Sequence, residues 1–433
     1  MPARSAQRRV AVTGIGLVTP VGLDTPSTWA ALREGKSGAG TPRSFDASGF
    51  TTRIGAEVKG FDPGAAIGPT RQLKYCSRGV AFGLGAATEA FRDAGIAVDD
   101  ETATRWGVSV GAGMLSVEYE RLVEVQAHCA PDGQFDPAGL LDDDFTTNPV
   151  SFCRWQSNVG LAVYARHFGI RGYATSVHTA CASGGQAIGT ALKVIRRGQC
   201  DYMLAGGFDS MLNPFGLSGF CLLGAVSPDN DTPEKASRPF DATRNGFLLG
   251  EGAGFLILEE WEHARARGAN IYAELAGDGN SLSCYRITDS PPDGNGPIQA
   301  IEQALGDAGL NADDIDYVNA HGTSTQMNDQ SECAALRAVM GSHADVAHVS
   351  STKSCMGHLI AAAGAVEAAV CVLALRDGVV PVNANLENPD PQCDVNIVAG
   401  ASREVPVRAA LTNSLGFGGS NSSLVFRHPD DVA

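Results

Sequence analysis

The sequence contains no C-x-x-C pair, although it has 11 cysteines in 433 residues. That spacing is typical of zinc sites and of dithiol redox motifs, so neither a metal site nor a redox site is indicated. Positive charge is also scarce, because 32 Lys and Arg stand against 48 Asp and Glu, giving a formal net charge of −16. No basic block offsets this charge, which argues against nonspecific binding to nucleic acid or to an anionic membrane. Unpaired cysteines favour a reducing compartment, and the cytoplasm is the simplest prediction.

The sequence also lacks an apolar run long enough to span a bilayer. Residues 4–9 followed by 10–18 resemble a charged leader and its apolar segment, but Thr13 and two glycines interrupt the run, and no small-residue cleavage site follows. A second apolar segment, 359–375, carries Glu367 and is shorter than the ~20 residues that a membrane span needs. We therefore predict a buried first strand and a core helix, with no membrane association.

The composition favours a large α/β enzyme. Apolar residues make up 44% of the chain, and its 52 glycines suit many strand-to-helix turns. A chain of 433 residues exceeds one comfortable core, so two domains or a duplicated pair are expected. We predict an N-terminal half at 1–270 and a C-terminal half at 271–433. The N-terminal half carries an insertion at about 115–150, in which residues 130–148 are acidic and irregular.

An internal repeat supports the duplication. Around Cys181 the predicted order is strand, reactive residue, small-residue helix, basic-Gly end and strand. Around His358 the order is glycine turn, reactive residue, the helix 359–375, an Arg-Asp-Gly end and the strand 379–382. Such βαβ order predicts parallel-rich mixed sheets covered by helices, with ligands bound at the loop ends.

Other elements follow from periodicity and from turn residues. Further strands are predicted at 10–18, 105–113, 201–207, 255–259 and 317–320, and helices at 25–34, 78–94, 158–168 and 297–309. The segment 250–254, Gly-Glu-Gly-Ala-Gly, matches neither the G-x-G-x-x-G nor the P-loop spacing, so a β-hairpin edge is predicted there and no ligand is assigned.

Cys181 is the candidate nucleophile. It follows a β-branched approach and precedes a helix predicted at 182–197, which places the thiol at a helix N-terminus. Unsatisfied N–H groups and the helix dipole favour the thiolate at such a position. A single cysteine is more often a small core residue, so the assignment depends on its partners.

Two histidines are the candidate partners. His321 ends a predicted strand in His-Gly-Thr-Ser-Thr, and His358 ends the segment Lys-Ser-Cys-Met-Gly-His. A thiolate with two imidazoles fits acyl transfer, in which sulfur holds an acyl group and imidazoles donate hydrogen bonds to a developing oxyanion. Glu367, alone in an apolar helix, needs a partner because an unpaired buried charge costs about 3–5 kcal/mol, and Lys353 is the candidate.

A glycine-rich turn with one aromatic residue lies at 413–421. Its backbone N–H groups could complete an oxyanion hole with that of Cys181, and Phe417 is flanked by glycines that leave it free to swing. From this segment alone, a buried strand connection with a packing phenylalanine is equally compatible.

Four segments together identify a family. They are Thr-Ala-Cys-Ala-Ser-Gly at 179–184, Val-Asn-Ala-His-Gly-Thr-Ser-Thr at 318–325, Lys-Ser-Cys-Met-Gly-His at 353–358 and Gly-Phe-Gly-Gly at 416–419. Over nearly the whole chain, the sequence resembles β-ketoacyl-[acyl-carrier-protein] synthases of the elongating Cys-His-His class. The resemblance implies a thiolase-like duplicated α/β fold, with two mixed five-stranded sheets and helices in αβαβα layers. It also implies decarboxylative Claisen condensation of malonyl-carrier protein with an acyl chain, in fatty acid or type II polyketide elongation.

The resemblance assigns the catalytic residues. Cys181 would accept the acyl chain as a thioester, while His321 and His358 would promote malonyl decarboxylation and stabilise the enolate. Lys353 with Glu367 would support the two histidines.

The resemblance also implies a substrate-binding set. Thr323 and Thr325 would bind the phosphopantetheine arm, and Phe417 would be the gate between the half-reactions. Gly418 and Met114 complete the expected set. No cofactor is expected on the enzyme itself, because the substrates are carried on the phosphopantetheine of the acyl carrier protein.

Related classes differ at identifiable positions. Priming synthases of this fold use a Cys-His-Asn set, whereas position 358 is His, and degradative thiolases carry a second cysteine in the last glycine-rich turn. A non-catalytic chain-length partner lacks the nucleophile that Cys181 supplies. A homodimer is expected, and the alternative is the catalytic subunit of a specialised type II polyketide synthase with a non-identical chain-length-factor partner.

The expected carrier partner raises a problem of charge. Carrier proteins are typically acidic, yet the usual basic docking positions here read Ser-Pro-Asp-Asn-Asp at 227–231 and an acidic loop at 136–148, and Gln and Met at 326–327 replace the usual residues after the first histidine motif. Arg71, Lys74 and Arg78 remain, at spacings that predict one face of a helix. We predict docking there, and the alternative is an ordinary solvated helix face.

Overall fold

The computed structural model describes residues 8–113, 118–142, 145 and 149–431. The strands are β1 Val10–Val18, β2 Ala39–Gly40, β3 Gly55–Ala56, β4 Trp106–Ala112, β5 Ala174–Val177, β6 Tyr202–Ser210, β7 Glu251–Glu260, β8 Ala273–Leu282, β9 Tyr317–Asn319, β10 His348–Ser350, β11 Val379–Val380, β12 Arg403–Glu404, β13 Ala409–Leu415 and β14 Ser420–Arg427. The helices are α1 Thr25–Arg33, α2 Pro63–Ile67, α3 Arg78–Ala94, α4 Tyr119–Cys129, α5 Pro149–Trp155, α6 Val159–Phe168, α7 Ser183–Arg196, α8 Pro214–Leu222, α9 Trp261–Ala266, α10 Asn295–Ala308, α11 Gln326–Met340, α12 Lys353–Met356 and α13 Ala363–Asp377.

Ten strands form the main sheet, in two sets of five. The order is β10-β9-β13-β14-β8-β1-β7-β6-β4-β5, and β1 joins β8 through only two residue pairs. In the first set β4 runs parallel to β5 and β6, while β7 pairs antiparallel with β6 and β1. In the second set β9 runs parallel to β10 and β13, while β14 pairs antiparallel with β13 and β8. The two sets therefore have the same order and the same strand directions, which is the topology of a duplication. The division of the chain at residue 270 stays a prediction.

Helices fill the space between the sets and cover both outer faces. The inner helices α7 and α13 each contact strands of both sets, whereas α3 covers β1, β6 and β7, and α10 covers β8 and β14. The inner pair packs closely because small residues face each other: a β-carbon on Gly184 would lie 2.8 Å from the backbone N of Ala365. The result is the predicted αβαβα layering, with the core on both sides of α13.

Each inner helix begins after the same strained turn. Ala180 (φ 49°) precedes Cys181, and Ile360 (φ 48°) precedes Ala361. Both residues open a short 3₁₀ helix, which leads into α7 and α13, respectively. The position that corresponds to Cys181 in the second half is therefore Ala361, and not His358 as the sequence repeat indicated.

Two local predictions are wrong. Residues 251–254 lie inside β7, which pairs with β1 on one side and β6 on the other, so they form no hairpin edge. Residues 71–78 are not one helix, because a 3₁₀ helix ends at Tyr75 and α3 begins at Arg78 after its N-cap Ser77. Within the described ranges, no helix has both the length and the apolar character needed to cross a bilayer.

Candidate active site

Cys181 lies in a buried turn between β5 and α7. Its side chain is 4% exposed, and the strained Ala180 turns the chain so that the thiol lies at the start of the helix. Burial raises the pKa of the Cys181 thiol to about 11, although the N–H groups of Phe417 and of Cys181 itself and the charge of Lys353 act in the opposite direction. The prediction of a resting thiolate is therefore wrong, because loss of solvation outweighs the backbone N–H groups.

The two histidines lie next to the thiol, as the sequence predicted. The Cys181 sulfur and one ring nitrogen of each histidine lie within 4.8 Å of one another, and the rings of His321 and His358 are 5.1 Å apart and nearly perpendicular. Burial, together with the charge of Lys353, holds the pKa of both imidazoles well below the usual range. Both rings are therefore neutral at ordinary pH.

A backbone contact fixes the tautomer of His358. The N–H of Ile360 donates to Nδ1 of His358 at 3.2 Å, so in the neutral ring the proton is on Nε2. Among the described residues, this buried Nε2 has no hydrogen-bond partner. A ring in this state donates to an oxygen. Although a thiol and two imidazoles also have the composition of a metal site, a metal would need Nε2 without its proton.

His321 is held through its backbone by a glutamate that the sequence analysis missed. Both carboxylate oxygens of Glu332 accept N–H groups at 2.8 Å, one from His321 and one from Gly322, and Asn413 donates to the same carboxylate at 3.1 Å. Burial raises the pKa of Glu332 to about 7. The available sequence signal was weak, because Glu332 lies on a helix that also carries Asp329 and several polar residues.

Lys353 and Glu367 form the predicted ion pair. Lys353 Nζ donates to Glu367 Oε1, and each side chain is only 1% exposed. Lys353 lowers the pKa of both histidines, while Glu367 keeps this charge paired inside the core. The predicted ion pair is confirmed, and its role in supporting the two histidines stays a prediction.

The glycine-rich turn lies directly over the nucleophile. A β-carbon on Gly416 would lie 2.7 Å from the carbonyl oxygen of Thr179, so only glycine permits this approach. The N–H of Phe417 points at the Cys181 thiol, which is the predicted oxyanion arrangement. Gly418 (φ 82°) donates its N–H to the carbonyl of Ile287 at 2.7 Å. The half-buried Phe417 packs against an apolar cluster that includes Ile360 and Phe247, and its role as a gate stays a prediction.

A cavity of about 340 Å³ leads to these groups. Thr323 and Thr325 line it with Cys181 and both histidines, and the two threonine hydroxyl groups lie 2.9 Å apart. The tandem hydroxyls are therefore placed to bind a polar arm that reaches the thiol. Met114, the remaining residue of the expected substrate set, lies outside the described residues.

The three predicted docking residues differ in their surroundings. Arg71 and Lys74 are exposed, and Lys74 Nζ lies 4.8 Å from the Tyr75 ring centre. Arg78, by contrast, pairs with the buried Glu251 at 2.7 Å and also donates to the carbonyl of Val58. The predicted continuous helix face does not exist, and Arg78 has a structural partner within the fold.

Comparisons with known proteins identify the family of this chain. The family model "Beta-ketoacyl synthase, N-terminal domain" matches residues 7–264, and "Beta-ketoacyl synthase, C-terminal domain" matches residues 272–387. The 3-oxoacyl-[acyl-carrier-protein] synthase 2 of Coxiella burnetii is 38% identical over 97% of this chain and 98% of its own. The putative polyketide beta-ketoacyl synthase 1 of Streptomyces halstedii is 39% identical over 98% of this chain and 99% of its own.

A solved structure gives the same result for the fold. The ishigamide ketosynthase/chain length factor superposes with a TM-score of 0.87 at 35% identity, over 98% of this chain and 99% of that one. The predicted thiolase-like fold is confirmed. With a buried thiol, two neutral imidazoles and family matches over both halves, the chain belongs to the β-ketoacyl synthase family of acyltransferases.

Proposed function

We propose that this chain elongates acyl chains by decarboxylative condensation, with Cys181 as the acyl acceptor and the two histidines acting on the malonyl unit. One observation carries the proposal: the Cys181 sulfur and one ring nitrogen each of His321 and His358 lie within 4.8 Å of one another. These groups line a cavity that two threonines also line. The substrates arrive on the phosphopantetheine of an acyl carrier protein, and the chemistry requires no further cofactor.

Acyl transfer comes first. The Cys181 sulfur attacks the carbonyl carbon of the carrier thioester, the bond from that carbon to the carrier sulfur breaks, and the thiol proton passes to the departing sulfur. The N–H groups of Cys181 and Phe417 point at this position and donate to the oxyanion of the tetrahedral intermediate. Because burial raises the pKa of the thiol to about 11, the sulfur still carries its proton at neutral pH when it meets the substrate.

Decarboxylation and condensation follow. The malonyl thioester oxygen binds between His358 Nε2 and His321, the bond to the carboxyl group breaks with release of CO₂, and the electron pair forms an enolate. The enolate carbon then attacks the thioester on Cys181, the bond from that carbon to sulfur breaks, and the thiolate takes a proton from solvent. Neutral imidazoles suit this step because they donate hydrogen bonds without supplying a proton too early.

Lys353 and Glu367 have a supporting role in this scheme. The buried ammonium charge opposes protonation of either imidazole, and the carboxylate prevents that charge from being unpaired. Thr323 and Thr325 bind the amide groups of the pantetheine arm through their neighbouring hydroxyls.

Mass spectrometry of Cys181 tests the proposal. The purified protein is incubated with a panel of acyl-carrier proteins that differ in chain length, and the peptide containing Cys181 is analysed for acyl mass. We expect acylation on this cysteine for at least one chain length and none on the exposed Cys153, which is the internal control. Acylation at another residue, or none from any carrier, would contradict the proposal.

The pathway is the second question, and relatives of both kinds carry similar identity. One, 38% identical, is named 3-oxoacyl-[acyl-carrier-protein] synthase 2, and another, 39% identical, is named a putative polyketide beta-ketoacyl synthase 1. We propose a homodimer. The alternative is a heterodimer with a chain-length-factor subunit, and it is kept because a solved neighbour is a ketosynthase/chain length factor. The mass of the purified protein under native conditions, alone and with a chain-length-factor subunit, distinguishes the two. A reducing cytoplasm suits the eleven free thiols.

A further inference from the structure

Asp209 is a buried carboxylate that no step of the proposed reaction uses. It lies at the end of β6 and is 5% exposed. Its two oxygens accept two different backbone N–H groups: Oδ1 accepts from Ser210 at 2.8 Å, and Oδ2 accepts from Ala361 at 3.0 Å. A β-carbon on Gly113 would lie 2.2 Å from Oδ2, so the carboxylate packs directly on the backbone of that glycine.

The turn that Asp209 contacts carries backbone strain. Ile360 has φ 48°, which is a genuine outlier for a β-branched residue and persists only where its surroundings enforce it. Two consecutive N–H groups of this turn have specific acceptors: that of Ile360 donates to Nδ1 of His358, and that of Ala361 donates to Asp209. The Ile360 N–H orients His358, and Asp209 fixes the N–H of the next residue, Ala361.

We propose that Asp209 is a positioning residue for His358, acting through the N–H of Ala361 to hold the strained turn that keeps Nε2 of the imidazole aimed at the substrate oxygen. The inference rests on the proposed role of His358 in decarboxylation. It implies that loss of Asp209 slows the malonyl half-reaction and does not slow acyl transfer to Cys181, because the turn at Ala180 is held separately by Ser183. The Asp209 charge does act on the other half-reaction, since it is one of the effects that raise the pKa of the Cys181 thiol.

The charges around Asp209 are consistent with this role. Ser210 Oγ donates to Glu251 at 2.7 Å, and Arg78 neutralises Glu251, so the nearest acidic neighbour is already paired. Burial, with a smaller effect of Glu251, raises the pKa of Asp209 to about 7. In this environment, both oxygens of the buried side chain still accept a backbone N–H group.

Asp209→Asn tests the inference, because an amide offers one acceptor for two N–H donors. Two partial reactions are measured in single turnover: acyl transfer from acyl-carrier protein to Cys181, and release of CO₂ from malonyl-carrier protein. We expect decarboxylation to fall about 10- to 100-fold, the range for a misplaced catalytic group. Acyl transfer should not fall, because loss of the Asp209 charge removes one of the effects that raise the pKa of the Cys181 thiol. Ser210→Ala is the matched control: it removes the hydroxyl on Glu251 but keeps the N–H on Asp209, and we expect both rates to be unchanged.

Two outcomes would overturn the inference. If Asp209→Asn decarboxylates at the normal rate, the contact with Ala361 does not position His358. If both partial reactions fall together, Asp209 supports the fold in general. A different variant tests the proposed function: if His358→Ala retains decarboxylation, the role proposed for His358 is wrong, whatever the result for Asp209→Asn.

Discussion

The N–H of Ile360 donates a hydrogen bond of 3.2 Å to Nδ1 of His358, and this contact decides what the imidazole can do. With Nδ1 occupied as an acceptor, the neutral ring carries its proton on Nε2 and faces the thiol as a donor. His358 in this state cannot accept the Cys181 proton. The geometry therefore assigns His358 to an oxyanion and leaves acyl transfer to the sulfur and the backbone N–H groups around it.

The first prediction concerns the histidines. His321→Ala and His358→Ala should each slow release of CO₂ from malonyl-carrier protein by roughly 10²–10³-fold, the usual loss for one oxyanion donor. Acyl transfer to Cys181 should persist, because in the proposed scheme the thiol proton passes to the departing carrier sulfur and not to a ring. His263→Ala, an exposed histidine on α9 outside the cavity, is the control. Loss of acylation with decarboxylation intact would contradict this division of roles.

The second prediction concerns the nucleophile. Cys181→Ala should abolish condensation, because no sulfur remains to hold the acyl chain, while malonyl-carrier protein is still decarboxylated by the histidines. Cys153→Ala removes an exposed thiol and should behave as the unmodified enzyme. Product analysis by mass spectrometry distinguishes acetyl-carrier protein from the condensed product. Normal acyl acceptance by the alanine variant would show that another residue carries the chain.

Strong local patterns allowed much of the fold to be predicted. The bounds of β1 and α3 were correct because a buried apolar run and a capped helix leave clear limits. The helices α4 and α11 were not identified, since α4 lies in an acidic segment and the first turn of α11 is polar.

The site residues that were predicted have distinctive side-chain chemistry. The residues that were missed contribute through their position in the folded chain. Cys181, both histidines and the Lys353–Glu367 pair carry recognisable chemistry. Asp209 and Glu332 accept hydrogen bonds from backbone N–H groups that only the fold brings close to them, so no spacing in the sequence predicts these contacts. The thiol pKa was predicted in the wrong direction, because burial cannot be judged from a helix start alone.

The third prediction concerns the buried ion pair. Lys353→Met leaves the Glu367 charge unpaired in the core, so the free energy of unfolding should fall by about 3–5 kcal/mol. Urea titration measures this change. The double variant Lys353→Met, Glu367→Leu removes both charges, and it should recover most of the lost stability. If Lys353→Met is as stable as the unmodified chain, the pair does not carry two full charges.

The fourth prediction follows from the pKa of Glu332, about 7 in the folded chain and about 4.5 when unfolded. Between these values the folded state holds a proton that the unfolded state has lost, so this group contributes stability that is present below pH 4.5 and declines as pH rises to 7. The contribution is on the order of 3 kcal/mol. Asp209, whose pKa is also raised to about 7, contributes a decline of the same sign, so Glu332→Gln should make the total decline smaller. Urea titrations at several pH values between 4.5 and 7 would detect the difference. An unchanged pH dependence in the variant would contradict the assignment.

The last prediction concerns the carrier surface, and the structure narrows it to one clean substitution. Arg78→Glu would leave Glu251 buried without its partner, so a defect in that variant would report on folding as much as on docking.

Lys74 is exposed, and its ammonium group lies over the ring of the adjacent Tyr75, so Lys74→Glu changes surface charge with little effect on the core. If an acidic carrier docks there, the variant should raise the KM for carrier-bound substrate strongly at low salt and less at high salt, because the interaction is electrostatic. Turnover of a small thioester mimic should be unchanged, since it reaches the cavity without docking.

Lys36→Glu, at an exposed lysine that pairs with Glu34 beyond α1, is the matched control. An unchanged KM in Lys74→Glu would place the carrier on another surface, and repeating the measurement with a chain-length-factor subunit would then ask whether that partner supplies the positive charge that a chain of net −16 lacks.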